Sequence, residues 1–202
     1  MGKIYHQDFN PDWYQMGLCE YMLLANPDER VAEKVMREKE LFYDWFGAEI
    51  ATKTLPHITV ANFLIKGRME ALLCKGIQNA CNLQYSFLVG LKDFNGFRPN
   101  AIYIGVQNPK PFRRLAKNLE RLNGLIESNG CPPSQFVTRP HMTIARQLDE
   151  ETYDKAMVEY AQRRFQDLFT LDKLTLLKRD SRYKKWQHVT HLYLPVERTL
   201  FN

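Results

Sequence analysis

The chain has 202 residues, 45% hydrophobic and 25% charged, with 12 Phe, 10 Tyr and 3 Trp. That content can bury a core without disulfide or metal staples, and it excludes a disordered chain. Lys and Arg number 28 against 23 Asp and Glu, a net charge of +5; this permits an anionic ligand such as RNA without requiring one, and no stretch reaches the roughly 20 apolar residues of a membrane span.

The opening MGKIYHQDFNPDW lacks the apolar core of a signal peptide. GLCEYMLLA (17–25) is short and apolar and predicts a buried strand. Pro27 and Asp28 open a helix that runs to Phe46, with Val31, Val35, Phe42 and Trp45 on one stripe and Gly47 as its stop. HITVANFLI (57–65) predicts a strand, 68–81 a helix and 85–91 a strand. FNGFRPN (94–100) has turn chemistry, and AIYIGV (101–106) predicts another strand. Pro111 suits the first turn of a helix carrying Leu115, Leu119, Leu122 and Ile126, which Gly130 and Pro132–Pro133 end. HMTIA (141–145) predicts a short strand. Asp149 caps a helix whose core face is Tyr153, Met157, Tyr160 and Phe165, and strands follow at 171–179 and 186–194.

Strands and helices interleave, but the late strands alternate as half-exposed antiparallel strands do. No Gly-rich loop opens a helix, which speaks against a Rossmann or P-loop protein. The expectation is an α+β fold in one structural unit, residues 1–202. Cys19, Cys74, Cys81 and Cys131 form no CxxC pair, so reduced thiols in a cytoplasmic protein are expected.

The chain contains a repeat. Residues 55–64 read LPHITVANFL and residues 139–148 read RPHMTIARQL, sharing Pro, His, Thr, Ala and Leu at the same places. Apolar alternation accounts for Ile58/Met142 and Val60/Ile144, but not for the shared Pro, His and Thr. In a strand, residues i and i+2 share a face, so His57 sits with Thr59 and His141 with Thr143. A face of His and Thr needs a polar destination, and a cleft between two similar halves supplies one. An imidazole with a pKa near 6.5 can take a proton while a second gives one. Two hydroxyls beside them can donate to the oxygens of a phosphate. No Asp, Glu or Cys stands at ligand spacing beside either histidine, so no metal is expected. A third His-x-Thr, His188–Thr190, lacks the Pro and the continuation; on a regular strand His188 and His191 point to opposite faces and make no metal pair.

PHITVANF and RPHMTIAR, 84 residues apart from His57 to His141, resemble the paired motifs of the two-histidine (2H) phosphoesterase superfamily, in particular its bacterial branch of RNA 2′,3′-cyclic phosphodiesterases and 2′-5′ RNA ligases. The resemblance covers most of the chain, from Gly17 to Pro195. It implies a bilobal fold, two antiparallel-rich sheets flanked by helices around a central cleft with pseudo-two-fold symmetry. It also implies hydrolysis of a 2′,3′-cyclic phosphate or 2′-5′ linkage in RNA or nucleotides, without cofactor, with 2′-5′ RNA ligation or RNA binding with little turnover as alternatives. His57 and His141 become the acid–base pair, and Thr59 and Thr143 the phosphate holders. The sequence does not break the symmetry of the pair; the assignment favoured is His141 as base and His57 as acid. Arg146 follows the second motif and becomes a phosphate contact if the strand ends near Ala145. Phe63 and Phe97, with Tyr103 and Phe136 behind them, are candidates for base stacking. A monomer acting on RNA or a nucleotide, away from membranes, is expected.

Overall fold

The computed structural model describes residues 13–48 and 52–197. The N-terminal stretch read for a signal peptide therefore lies, through residue 12, outside the described residues. Strand β1 (Leu18–Ala25) leads into helix α1 (Glu29–Phe46). Asp28 caps that helix by accepting from the Val31 N–H at 2.8 Å, and Gly47 ends it at φ 69°. The buried stripe of α1 is Val31, Val35, Lys39 and Phe42. Trp45, expected on it, is 48% exposed, and a lysine takes the core position instead.

Strand β2 (Ile58–Lys66), helix α2 (Glu70–Cys81), strand β3 (Phe87–Phe97) and strand β4 (Ala101–Val106) follow. The expected turn at 94–100 is shorter than its composition suggests, because β3 continues to Phe97. Phe94 and Phe97 find aromatic partners, Tyr160 at 4.8 Å and Tyr103 at 4.3 Å between ring centroids, and these contacts hold the segment extended. The next helical stretch is α3 (Lys110–Leu119), a 3₁₀ turn (Glu120–Leu122) and α4 (Asn123–Ser128). Strands β5 (Gln135–Phe136) and β6 (His141–Arg146) precede helix α5 (Glu150–Tyr160). Phe165 lies beyond α5. Strand β7 (Gln166–Leu171) is an addition to the expected elements; as an edge strand it buries only Phe169 and Leu171 and leaves little apolar pattern to read. Strands β8 (Lys173–Arg179) and β9 (Gln187–Tyr193) complete the order.

The strand order is β7-β3-β4-β6-β2-β1-β8-β9, with β5 beside β2, and every pairing is antiparallel. The two expected sheets are thus two halves of one nine-stranded sheet, four strands in one and, counting β5, five in the other. They join at a single β2–β6 pair, Ile58↔Met142. Beyond it β2 pairs instead with β5, Ala61↔Phe136 and Asn62↔Gln135. One residue, Asp172, links β7 at one edge to β8 near the other. A flat sheet would hold those strands about 28 Å apart, while one residue spans roughly 3.5 Å. The sheet is therefore strongly bent.

Each half has its own helices. Helices α1 and α5 pack on the β7-β3-β4-β6 half, and α2 and α3 on the other. The apolar faces of both motifs, Ile58, Val60, Met142 and Ile144, are at most 2% exposed. Among the described residues no helix is long and apolar enough to cross a membrane.

Candidate active site

The single pair that joins the halves organises the repeat. With Ile58 opposite Met142 in antiparallel register, His57 lies opposite Thr143 and Thr59 opposite His141. Four polar side chains from two strands thus share one face around the Ile58·Met142 pair, which marks the local pseudo-two-fold axis. Both histidines and both threonines are half-buried, and the prolines before the histidines are buried.

The two imidazoles are held the same way. His57 Nδ1 is 2.8 Å from the carbonyl of Leu55, and His141 Nδ1 is 2.8 Å from the carbonyl of Arg139. A carbonyl only accepts, so Nδ1 carries the proton in both rings. Nε2 is left as the atom that can take a proton when the ring is neutral and give one when it is charged.

The symmetry extends to backbone irregularity. Against β1, Leu24 pairs with Thr59 and Leu23 with Ala61, which leaves Val60 as an extra residue. Against β4, Tyr103 pairs with Thr143 and Ile102 with Ala145, which leaves Ile144 extra at the equivalent place. Each bulge shifts the alternation by one residue. Arg146, paired with Ala101, thereby falls on the face of Tyr103 and Thr143 rather than off it. Asn62, paired with Met22, falls on the face of Thr59 in the same way.

Beyond the motifs the two histidines differ. Burial lowers the pKa of His57, the Leu55 carbonyl opposes this, and the charges of Lys39, Arg146 and His141 lower it further. The neutral form of this ring is favoured. His141 instead sits among aromatic rings, 4.9 Å from Phe97 and 5.0 Å from Tyr103 between centroids. Phe97 stacks on Tyr103, with the Arg139 guanidinium 5.7 Å from its ring.

Two expectations are corrected. Phe63 is fully buried and packs edge-on against Phe136 at 6.3 Å, so it offers no ring face to a ligand. Asn62 takes the site's face in its place. His188 and His191 do not point apart: a bulge between Leu176↔Thr190 and Leu177↔His188 puts both on the face of Thr175 and Leu177, with ring centroids 4.6 Å apart. They are exposed and lie three strands from Thr59, about 14 Å. Among the described residues no three His, Cys, Asp or Glu side chains come together to hold a metal.

Lys39 is the residue that sequence reasoning missed. It is 2% exposed, and its Nζ donates to the carbonyl of Thr54 at 2.8 Å and to Thr54 Oγ1 at 3.0 Å. The signal was present: position 39 continues the i, i+4 stripe of Val31 and Val35, and a charge in an apolar stripe asks for a reason. Together the groups can bind a tetrahedral anion between two hydroxyls and a guanidinium, with one proton acceptor and one donor at hand.

The fold has solved counterparts. E. coli LigT, solved with 3′-AMP, superposes with a TM-score of 0.58 at 15% identity, covering 88% of this chain and 98% of that one. TT0787 of Thermus thermophilus gives 0.62 at 15% identity, covering 89% and 100%. At such identities the likeness speaks for the fold. No curated protein sequence matches this chain. Residues 27–182 match the 2'-5' RNA ligase superfamily, and with that match spanning most of its length the chain belongs to this family of two-histidine phosphoesterases.

Proposed function

We propose that the protein hydrolyses a phosphodiester of RNA or of a nucleotide, a 2′,3′-cyclic phosphate or a 2′-5′ linkage, at the quartet His57, Thr59, His141 and Thr143. One histidine takes a proton from water through Nε2 as the water oxygen attacks phosphorus. The other gives its Nε2 proton to the departing ribose oxygen, and a phosphomonoester results. Thr59 and Thr143 donate to the non-bridging oxygens, where charge builds in the transition state. Arg146 adds a cation on the same face, and the half-buried Phe97, stacked on Tyr103, is the candidate place for a base.

The matching Nδ1 contacts carry this reading. A carbonyl bond of this kind also satisfies a core histidine; the support lies in two histidines of one quartet that each commit Nδ1 to a carbonyl two residues back and so leave two Nε2 atoms on one face for acid–base work. The nucleotides solved with LigT, 3′-AMP, NADP+ and ATP, are in keeping with a nucleotide ligand here. Because each half supplies one histidine and one threonine, we take residues 1–202 to work as one bilobal unit and as a monomer. The four free thiols suit a reducing cytoplasm.

The test is incubation with 2′,3′-cyclic mononucleotides and identification of the product isomer. A single 2′- or 3′-monophosphate is expected. Tight binding of the nucleotide with no product would leave an RNA-binding protein on a phosphoesterase fold.

A further inference from the structure

The cations around His57 are not placed symmetrically. Arg146 stands on the site's own face, but Lys39 comes from behind, from α1, and is too deeply buried to touch a substrate. Its Nζ binds both oxygens of Thr54, and the next carbonyl along the chain, Leu55, is the one that holds His57 Nδ1. The same segment thus receives the lysine at one residue and orients the imidazole from the next.

We infer that Lys39 is a positioning residue for His57: it pins the Thr54–Leu55 segment that orients the ring and sets a second cation behind it, so that His57 serves as base and His141 as acid. This rests on the phosphoesterase reading above for the words base and acid, but the link between Lys39 and His57 does not.

Burying an ammonium group is costly, and burial, with the charge of Arg146, pushes Lys39 down to about 8. It is therefore still largely charged at neutral pH. The charged groups acting on His57 are Lys39 from α1 and Arg146 and His141 from β6. Of these, Lys39 alone combines a charge with a hold on the backbone next to the carbonyl that clamps His57. The cost of keeping a lysine in an apolar stripe then has a return at the site.

Two variants separate the roles. Lys39→Gln keeps a donor for Thr54 but removes the charge; Lys39→Arg keeps both. The measurements are the pH dependence of turnover on a 2′,3′-cyclic mononucleotide and the ¹⁵N shifts of the His57 and His141 rings through a pH titration. For Lys39→Gln the rising limb of the rate profile and the titration of His57 should both move to higher pH. Turnover at the wild-type optimum should fall only by the share of His57 that the shifted limb leaves protonated, with KM little changed, because the donor to Thr54 is kept. Lys39→Arg should restore the limb. In the wild type, the His57 ring shifts should show a second inflection near pH 8 as Lys39 discharges, a measurement that needs no variant to fold.

A drop in turnover with the rising limb and the His57 titration unmoved would overturn the inference and leave Lys39 a structural residue. Movement of the falling limb instead would overturn the assignment of base and acid. Absence of any turnover in the wild type would defeat the phosphoesterase reading alone, since the ring titration still decides whether Lys39 acts on His57.

Discussion

The β2 and β6 copies of the motif agree closely in backbone and differ in neighbours. Both place a buried proline before the histidine, both hold Nδ1 with the carbonyl two residues back at 2.8 Å, and both carry a bulge at the fourth position. The second residue after the bulge differs: a buried Asn62 in β2, an exposed Arg146 in β6. Behind the histidines the contrast widens, with a buried lysine acting on His57 and an aromatic stack around His141. Duplication supplies the frame, two like imidazoles and two hydroxyls about one axis. The proposed acid–base work needs two unlike imidazoles, and the difference comes from Arg146 within the repeat and from Lys39 and the aromatic stack outside it.

The largest effects are expected at the histidines. His57→Ala and His141→Ala should each lower turnover by roughly 10²–10⁴. The double variant should be barely worse than either, because the two act as a unit. Substrate binding, followed by titration, should weaken much less. Thr59→Val and Thr143→Val keep the shape and remove one donor each, and each should cost roughly 10²–10³ in kcat. Equal losses would show that the phosphate sits on the axis; a large loss at one threonine alone would show that it sits in one half. Arg146→Ala should lower kcat/KM by roughly tenfold or more, as a bond to a charged group does, and Asn62→Ala by less. The reverse order would mean that the β2 half holds the phosphate. The smallest effect should be that of His188→Ala, within about twofold, as for an exposed residue away from the site. Loss of activity there would move the site to β9.

Much of the candidate site is legible in the sequence, because apolar alternation does not account for Pro, His and Thr recurring at the same spacing. What is illegible traces to the bulges. Regular alternation puts Arg146 off the face of His141 and sends His188 and His191 apart. One extra residue at Ile144 and another at Val189 reverse both conclusions. Nothing in the types of these residues announces a bulge. Phe63 misleads because an aromatic next to a motif reads equally as a stacking platform or a core residue, and its burial decides for the core. Strand β7 is hidden because an edge strand with one wet face carries only Phe169 and Leu171 as signal. Lys39, by contrast, is visible: position 39 follows Val31 and Val35 at i, i+4 spacing, and a lysine there is a charge on an apolar stripe.

The most direct test of the two-histidine account is the pH dependence of turnover on a 2′,3′-cyclic mononucleotide, measured in excess chelator. With one imidazole required neutral and the other charged, the rate should trace a bell, though each limb belongs to the coupled pair rather than to one residue. Activity should rise as the base loses its proton. Because burial and the cations of Lys39 and Arg146 lower the pKa of His57, that limb should lie on the acid side of the ordinary histidine value. Activity should then fall at higher pH as the acid is lost. A profile that rises to a plateau without a falling limb, or turnover that vanishes in chelator and returns with added metal, would contradict the account.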